Sequence, residues 1–454
     1  MAISNGPTPT LCRWACSTRY DDLPADVRKE TVTLLYDQVG GMIASATLPS
    51  CQPLIDLVRK LGPGGDCSVV GHPLRTSVTN AALANGTIAH GSEVDSMGQQ
   101  GTGHYAAITV PVGLTVGQYV SASGKELCRA VAAGSEVAAR FQSILAHYGT
   151  RNQFVPSIGA TMGGAISAGL LLGLNAGQME YALGLAASCA SGLTSCHEEE
   201  LHQTKSLNRG KAVEAGVLAG LLAKEGYHGP REILTTENGF FDAYLGLPDA
   251  GHEVVEGLGE NYLMRQIAYK RYPVGGPNQT PLHALLQLIK THKLVADNIE
   301  QIEVSVTRDA FQTVMTNQHP SVNMRTILSL AAFYGELIFP HIHNPRYREA
   351  PEFKAFQERA RIFIVPRQGR PANAGERLDM GITVRTRNGE TLSQKLRYPL
   401  MSEAEIQQKF RYLAGLRLDD NAVAGLEKKL MAIETEKDVA ALVRGLEIPY
   451  ADRA

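Results

Sequence analysis

Lys270-Arg271-Tyr272-Pro273-Val274-Gly275-Gly276-Pro277 divides the 454-residue chain into two textures. Before it, apolar residues recur at helical spacing. Between Pro24 and Ser45, Val27, Leu34, Leu35, Val39 and Met42 share a face with Thr31, and Asp22 with Pro24 supplies a helix start. Further Ala-rich and Gly-rich stretches at about 76–90, 105–121, 125–146, 159–173, 177–192 and 207–225 read as helices. Gly62-Pro63-Gly64-Gly65 and Ser123-Gly124 are turn signals between helical stretches. After the octapeptide, strands enter. Ile302-Glu303-Val304-Ser305-Val306 alternates apolar and polar residues, and Ala360-Arg361-Ile362-Phe363-Ile364-Val365 is β-rich. Gly381 to Arg397 carries Arg387-Asn388-Gly389 between two alternating runs, a hairpin signal. Helical periodicity resumes from Ser402 to Leu446, with Ser402-Glu403-Ala404-Glu405 as its cap. The expectation is a mainly α fold. A large all-helical domain would be formed by 1–266 and 400–454, and a smaller α+β domain would be inserted at 267–399, with a cleft at the octapeptide.

Composition agrees with helices in close contact. There are 45 glycines and one tryptophan, and aromatic residues make up 6% of the chain. Lys and Arg total 43 against 45 for Asp and Glu, a formal net charge of −2, so no electrostatic footprint for nucleic acid or an anionic membrane is present. Small molecules and further copies of the chain are the expected partners. A homodimer is expected because the small-residue helices hold more apolar surface than solvent-facing charge covers. The seven cysteines, Cys12, Cys16, Cys51, Cys67, Cys128, Cys189 and Cys196, are odd in number and form no Cys-x-x-Cys pair. They read as a reduced cytoplasmic thiol set. Met1 to Tyr20 has no apolar run behind a basic start, and no apolar segment reaches the roughly 18 residues of a membrane helix. A soluble, cytoplasmic protein is expected.

Several motifs fail on spacing. In His197-Glu198-Glu199-Glu200-Leu201-His202 the histidines are five apart, whereas the zinc motif needs four, so the segment reads as a solvated acidic turn. His341-Ile342-His343 would set two imidazoles on one side of a strand, without a nearby carboxylate or cysteine. The glycines form neither a phosphate loop nor a strand followed by Gly-x-Gly-x-x-Gly, and no Gly-x-Ser-x-Gly elbow or iron–sulfur spacing appears. Acid–base chemistry without metal or organic cofactor is the expectation.

Two segments carry groups for such chemistry. Asn85-Gly86-Thr87-Ile88-Ala89-His90-Gly91-Ser92-Glu93-Val94-Asp95-Ser96 ends a small-residue helix in two carboxylates and leads into Gly101-Thr102-Gly103-His104. The plain alternative is a helix end with solvated acids and a loop histidine. In Thr204-Lys205-Ser206-Leu207-Asn208-Arg209-Gly210-Lys211-Ala212, three cations open an otherwise apolar helix. Cations there oppose the helix dipole, so something anionic nearby would account for them, the alternative being a surface basic turn. With Lys270 and Arg271 at the cleft, these cations suit a ligand that carries several carboxylates.

These segments, in this order, resemble the MmgE/PrpD family of 2-methylcitrate dehydratases, cis-aconitate decarboxylases and iminodisuccinate epimerase. The resemblance spans nearly the whole chain. It rests on Asn85-Gly86 through His90 to Asp95, on His104, on Leu171-Leu172-Gly173-Leu174, on Lys205 five residues before Gly210, and on Lys270-x-Tyr272-Pro273. It implies homodimers and an active site between a helical and an α+β domain. The family's first two acids fall on Glu93 and Asp95, its third on Ser96, its following histidine on His104, and its two lysines on Lys205 and Lys270. Where the family has Trp-His-Pro, this chain reads Phe154-Val155-Pro156. After Lys270, a family Cys or His and a further His are replaced by Gly275 and Gln279, and a later acid by His283.

The family chemistry implied is labilisation of a proton or carboxylate beside a carboxyl group, with the developing enediolate charge held by fixed cations. Lys205, Lys270 and Arg271 suit that role. His104, Glu93 and Asp95 would move protons, with Tyr272 contacting substrate and Tyr148 and His147 in reserve. His104 leads because its flanking Gly101 and Gly103 let backbone approach a ligand and its ordinary pKa lies near neutrality. The expected activity is a lyase on a small polycarboxylate, first a 2-methylcitrate dehydratase-like hydro-lyase. The alternatives are a dicarboxylate isomerase or epimerase, a cis-aconitate decarboxylase-like enzyme, and a non-catalytic carboxylate binder. The imidazoles missing at Val155 and Gly275 leave the acid for a departing hydroxyl unassigned.

Overall fold

A computed structural model describes residues 6–62, 64–99, 103–150, 155–367 and 380–449. Gly101 and Phe154 lie outside the described residues. The fold is mainly α. Its first principal helices are α1 (Pro7–Ser17), α2 (Ala25–Ser45), α3 (Val78–Ala89), α4 (Ala106–Tyr119), α5 (Gly124–Tyr148), α6 (Ala160–Leu171), α7 (Ala176–Cys189) and α8 (Gln203–Lys224). They enclose one hydrophobic core that runs from Leu11 to Tyr269 and continues into Ile406–Ile448.

Small residues set how closely these helices approach. A Cβ on Gly86 of α3 would lie 2.6 Å from Val213 Cγ2 of α8, and one on Gly163 of α6 would lie 2.3 Å from the Gly134 carbonyl oxygen of α5. Side chains at such contacts would separate the backbones.

Two short ladders place strands in the part of the chain expected to be all-helical. Cys67–Ser68 pairs with Arg75–Thr76. More consequentially, β1 (Met97–Gly98) pairs antiparallel with β2 (Ile267–Ala268), joining the loop after α3 to the approach to Lys270.

A second core extends from Val274 to Leu396. It contains α9 (Gly276–His292), α10 (Met324–Tyr334) and a sheet of β3 (Ile299–Thr307), β4 (Arg361–Arg367), β5 (Gly381–Thr386) and β6 (Thr391–Lys395) in the order β4-β3-β5-β6. β3 runs parallel to β4 and antiparallel to β5, and Ile302 pairs with both Ile362 and Val384. The hairpin forms at Arg387-Asn388-Gly389, where Gly389 has φ +88°. His341-Ile342-His343 departs from the expected strand and closes a short helix, Phe339–His343, because Pro340 stands in its first turn.

The chain then returns to the first core. In α11 (Glu403–Gly415), Ser402 and Glu405 form the expected capping box, and Phe410 stacks on Tyr36 of α2 at 4.2 Å. Val94, Phe339 and Leu413 meet in a small cluster with Ala44 and Leu48, so segments far apart in sequence close over the loop after α3.

Candidate functional site

α3 begins under the Ser77 side chain, which accepts the Asn80 N–H, and stops at His90. Its Asn85 is fully buried and satisfied: the amide accepts the Val70 N–H and donates to the Ser68 carbonyl and to Thr115 Oγ1. The turn that follows requires φ +58° at Glu93, a left-handed conformation uncommon for a side chain of this size. Glu93 and Asp95 are each about 1% exposed. The solvated-acid alternative is therefore corrected, because α8 and the segment after β2 cover the loop and bring cations with them.

Glu93 lies at the centre of the cluster. Lys205 Nζ bonds its Oε1, Lys270 Nζ donates to its Oε2 at 2.7 Å, and His202 Nε2 lies 3.2 Å from Oε1. Asp95 Oδ2 accepts from His104 Nδ1 at 2.7 Å and from His90 Nδ1 at 3.0 Å, while Lys270 Nζ is 3.5 Å from Oδ1. A carboxylate only accepts, so both imidazoles carry their proton on Nδ1 and present Nε2 as a base. His104 retains 15% side-chain exposure.

α8 begins four residues before the helical stretch expected from 207 because Glu199 caps it, accepting the Thr204 and Lys205 N–H groups at 2.8 and 2.9 Å. Glu199 at the cap and Glu93 in the cluster are the anions that the cations at this helix start required. The expected acidic turn is corrected in part. Glu198 and Glu200 are exposed, but His202 is buried at φ +58° and its ring lies 5.6 Å from His90 and 4.9 Å from His319. It sits immediately before α8, three residues ahead of Lys205, and that closeness in sequence is the signal that would have included it. His343 reaches the same loop, its Nε2 bonding the Ser92 carbonyl at 3.1 Å.

The remaining candidates stand apart from this cluster. Arg271 donates to Glu405 Oε1 at 2.8 Å and to the Leu400 carbonyl. The Tyr272 hydroxyl meets His283 Nδ1 at 2.8 Å. Tyr148 is 44% exposed and its hydroxyl bonds Glu253, so the structure does not bring it to Glu93. Gln279 holds the octapeptide together: its carbonyl accepts the Arg271 and Tyr272 N–H groups, and its amide donates to the Tyr272 and Val274 carbonyls.

The charges in the cluster depend on one another. Burial opposes ionisation of Glu93 and Asp95, but Lys205 and Lys270 outweigh it at Glu93, and His90, Lys270 and His104 at Asp95. Both carboxyls are held well below the usual carboxylate range. Burial also opposes the charge on Lys270, yet Asp95 and Glu93 raise its pKa. His90, His104 and His202 are pushed down chiefly by burial and stay neutral. Two carboxylates thus face three buried cations, Lys205, Lys270 and Arg209, an environment that attracts anions.

His90, Glu93 and His202 on one side, and His90, Asp95 and His104 on the other, group donor atoms within 4.8 Å of one another. A metal cation at either group would have to displace ammonium or imidazole protons that already satisfy the carboxylates. The arrangement suits acid–base work on an anion: His104 Nε2 can move a proton, and the lysines can hold developing negative charge. Among the described residues, no helix is long and apolar enough to cross a membrane.

Residues 9–253 match the MmgE/PrpD N-terminal domain and residues 272–431 the MmgE/PrpD C-terminal domain. The chain is 24% identical to a cis-aconitate decarboxylase of Aspergillus terreus, over 98% of this chain and 96% of that protein. It is 23% identical to a cis-aconitate decarboxylase-like protein of Aspergillus oryzae, over 96% of each. It is also 24% identical to a cis-aconitate decarboxylase of Homo sapiens, over 84% of this chain and 82% of that protein.

Proposed function

Because the chain belongs to the MmgE/PrpD family, we propose that it is a lyase acting on a small polycarboxylate, with Glu93, Asp95, His104, Lys205 and Lys270 as its active site. The observation that carries this reading is the convergence, from three distant segments, of two ammonium groups and an Asp-oriented imidazole on one buried carboxylate pair. An ammonium has three donors, so each lysine can hold a substrate carboxylate while keeping Glu93. As a bond beside that carboxyl breaks, the charge that develops meets cations already in place. Asp95 fixes His104 in the tautomer whose Nε2 moves the proton.

The first reaction we propose is carbon–carbon cleavage of a cis-aconitate-like tricarboxylate, supported by similarity to cis-aconitate decarboxylases over nearly the whole chain. Dehydration of a citrate-like hydroxy acid such as 2-methylcitrate is the second reading. It is favoured by the additional imidazoles around Glu93, which offer an acid for the departing hydroxyl. Arg271 and Tyr272 are proposed as contacts for a distal carboxylate. Incubation with cis-aconitate, citrate and 2-methylcitrate in deuterated water tests the assignment. Release of CO2 supports the first reaction and new ultraviolet absorption without CO2 the second. Deuterium exchange with neither would replace both by an epimerase, and no turnover or exchange would overturn the enzyme reading.

The reading includes a helical domain of 1–266 with 400–454, an α+β domain of 267–399 over the cluster, and a homodimer. Proteolysis near Tyr272 or Pro399 supports that division. A light-scattering mass of 48.9 kDa would contradict the dimer.

A further inference from the structure

The imidazole that the family resemblance leads one to expect at position 275 is replaced by glycine, yet the backbone there leads directly to another histidine. The Gly275 N–H donates to the Ser321 carbonyl at 2.7 Å. Ser321 in turn fixes His319, its Oγ lying 2.7 Å and its N–H 3.3 Å from His319 Nδ1. The rest of the segment is equally well held. The His319 N–H donates to Asn317 Oδ1 at 2.9 Å, and its carbonyl accepts the Val322 and Asn323 N–H groups, both at 2.9 Å. The Ser321 N–H can only donate, so Nδ1 is an acceptor and the ring proton resides on Nε2.

The ring also occupies a particular place. His104, His90, His202 and His319 form a row with successive ring centroids 4.7, 5.6 and 4.9 Å apart, alongside Glu93. His104 and His319 are its ends, and both are only partly buried, whereas His90 and His202 between them are enclosed. The groups facing His319 are His202, His343, Lys205 and Glu93.

Resting on the polycarboxylate reading above, we propose that His319 is a second catalytic acid–base residue, contacting the substrate at the opposite end of the row from His104 and supplying the proton transfer that Gly275 cannot. Burial, with His202, His343 and Lys205 nearby, pushes its pKa down to about 2, so it begins uncharged. A bound polycarboxylate brings negative charge beside it, and His319 takes a proton from solvent as the substrate enters. The imidazolium then gives its Nε2 proton to the atom that keeps the electron pair. That atom is the hydroxyl oxygen in dehydration, where His104 Nε2 takes the α-proton, the C–H electron pair forms the double bond and the C–O bond breaks to release water. In decarboxylation it is the substrate carbon, which keeps the pair of the broken C–C bond as CO2 leaves.

Propane-1,2,3-tricarboxylate, titrated calorimetrically into the full chain in buffers of different ionisation heat, tests the first half. Wild type should take up about one proton more than His319→Gln on binding. Steady-state kinetics test the second half: His319→Gln should lose about 10²–10⁴ in kcat, with the alkaline limb of the kcat–pH profile altered, because the acid must be protonated in the substrate complex. Added imidazole should restore turnover to His319→Ala in proportion to its concentration, which separates proton transfer from a folding defect. Wild-type kcat and pH profile in His319→Gln, or no rescue of His319→Ala, would overturn the role of His319 alone. No binding and no turnover by wild type with any polycarboxylate would overturn the substrate class and this role with it.

Discussion

Gly210→Ala tests whether backbone approach between α3 and α8 sets the geometry of the site. A Cβ at Gly210 would lie 2.1 Å from Thr87 Oγ1 and 2.6 Å from the Leu83 carbonyl oxygen. Rotating Thr87 relieves the first contact but not the second, which is backbone, so the helices must part by about 0.8 Å to restore ordinary contact. Overpacking of this kind costs about 1–3 kcal/mol. The displacement falls between Lys205, five residues before Gly210 on α8, and Glu93, in the loop after α3. A misplacement of about 1 Å can cost about 10² in rate. We expect a lower unfolding temperature in thermal melts, and turnover reduced by about ten- to a hundredfold in protein that still shows native circular dichroism. Gly425→Ala is the matched control. It lies in the exposed helix Asp420–Met431 with nothing within 4 Å of its Cβ position, and should stabilise by up to about 1 kcal/mol. If Gly210→Ala melts and turns over like wild type, close helix approach does not set the Lys205–Glu93 contact.

Further outcomes are expected. Stability should fall as pH drops below about 6.5: the neutral buried histidines, including His343 at about 3 and His319 at about 2, bind protons more readily unfolded than folded. Each contributes a slope of up to about 1.4 kcal/mol per pH unit. Below the unfolded carboxyl pKa of about 4, Glu93 and Asp95 add to the loss in the same direction. Urea titrations from pH 8 to pH 4 would contradict this if the midpoint stayed constant. Lys409→Met should destabilise by about 3–5 kcal/mol, because Lys409 Nζ bonds both the Val94 carbonyl at 2.7 Å and buried Asp37 at 2.6 Å. Pairing it with Asp37→Asn should recover part of that loss in the same melts. His104→Ala should lower kcat by about 10²–10⁴ with little change in KM, whereas Lys270→Ala should raise KM as well. Tyr148→Phe should match wild type in that assay.

Local sequence was informative wherever a feature is decided within a few residues. Helical periodicity placed α2 to within a residue, Ser402 and Glu405 announced their capping box, and Arg387-Asn388-Gly389 announced its hairpin. Each depends on neighbours at most four positions apart, so the chain displays the cause beside the effect. Glu93, Asp95, His104, Lys205 and Lys270 were legible as candidates for a similar reason, since each stands in a short segment of distinctive residue types.

What they would touch was not legible. Lys205 and Glu93 are 112 residues apart and Lys270 and Glu93 are 177 apart. Their meeting depends on the α3–α8 contact and on the two-residue ladder between Met97–Gly98 and Ile267–Ala268. His202 looked like part of a solvated turn because its acidic neighbours are indeed solvated, and only the fold over it makes it part of the cluster. His319 offered no signal in sequence, since its place depends on a backbone bond to Gly275 from another segment. The sequence by itself determined the helices, the hairpin and the kinds of chemistry available. Which acids are buried, and which cations and imidazoles surround them, was decided only by tertiary packing, because desolvation and charge pairing depend on distances between segments that no local pattern encodes.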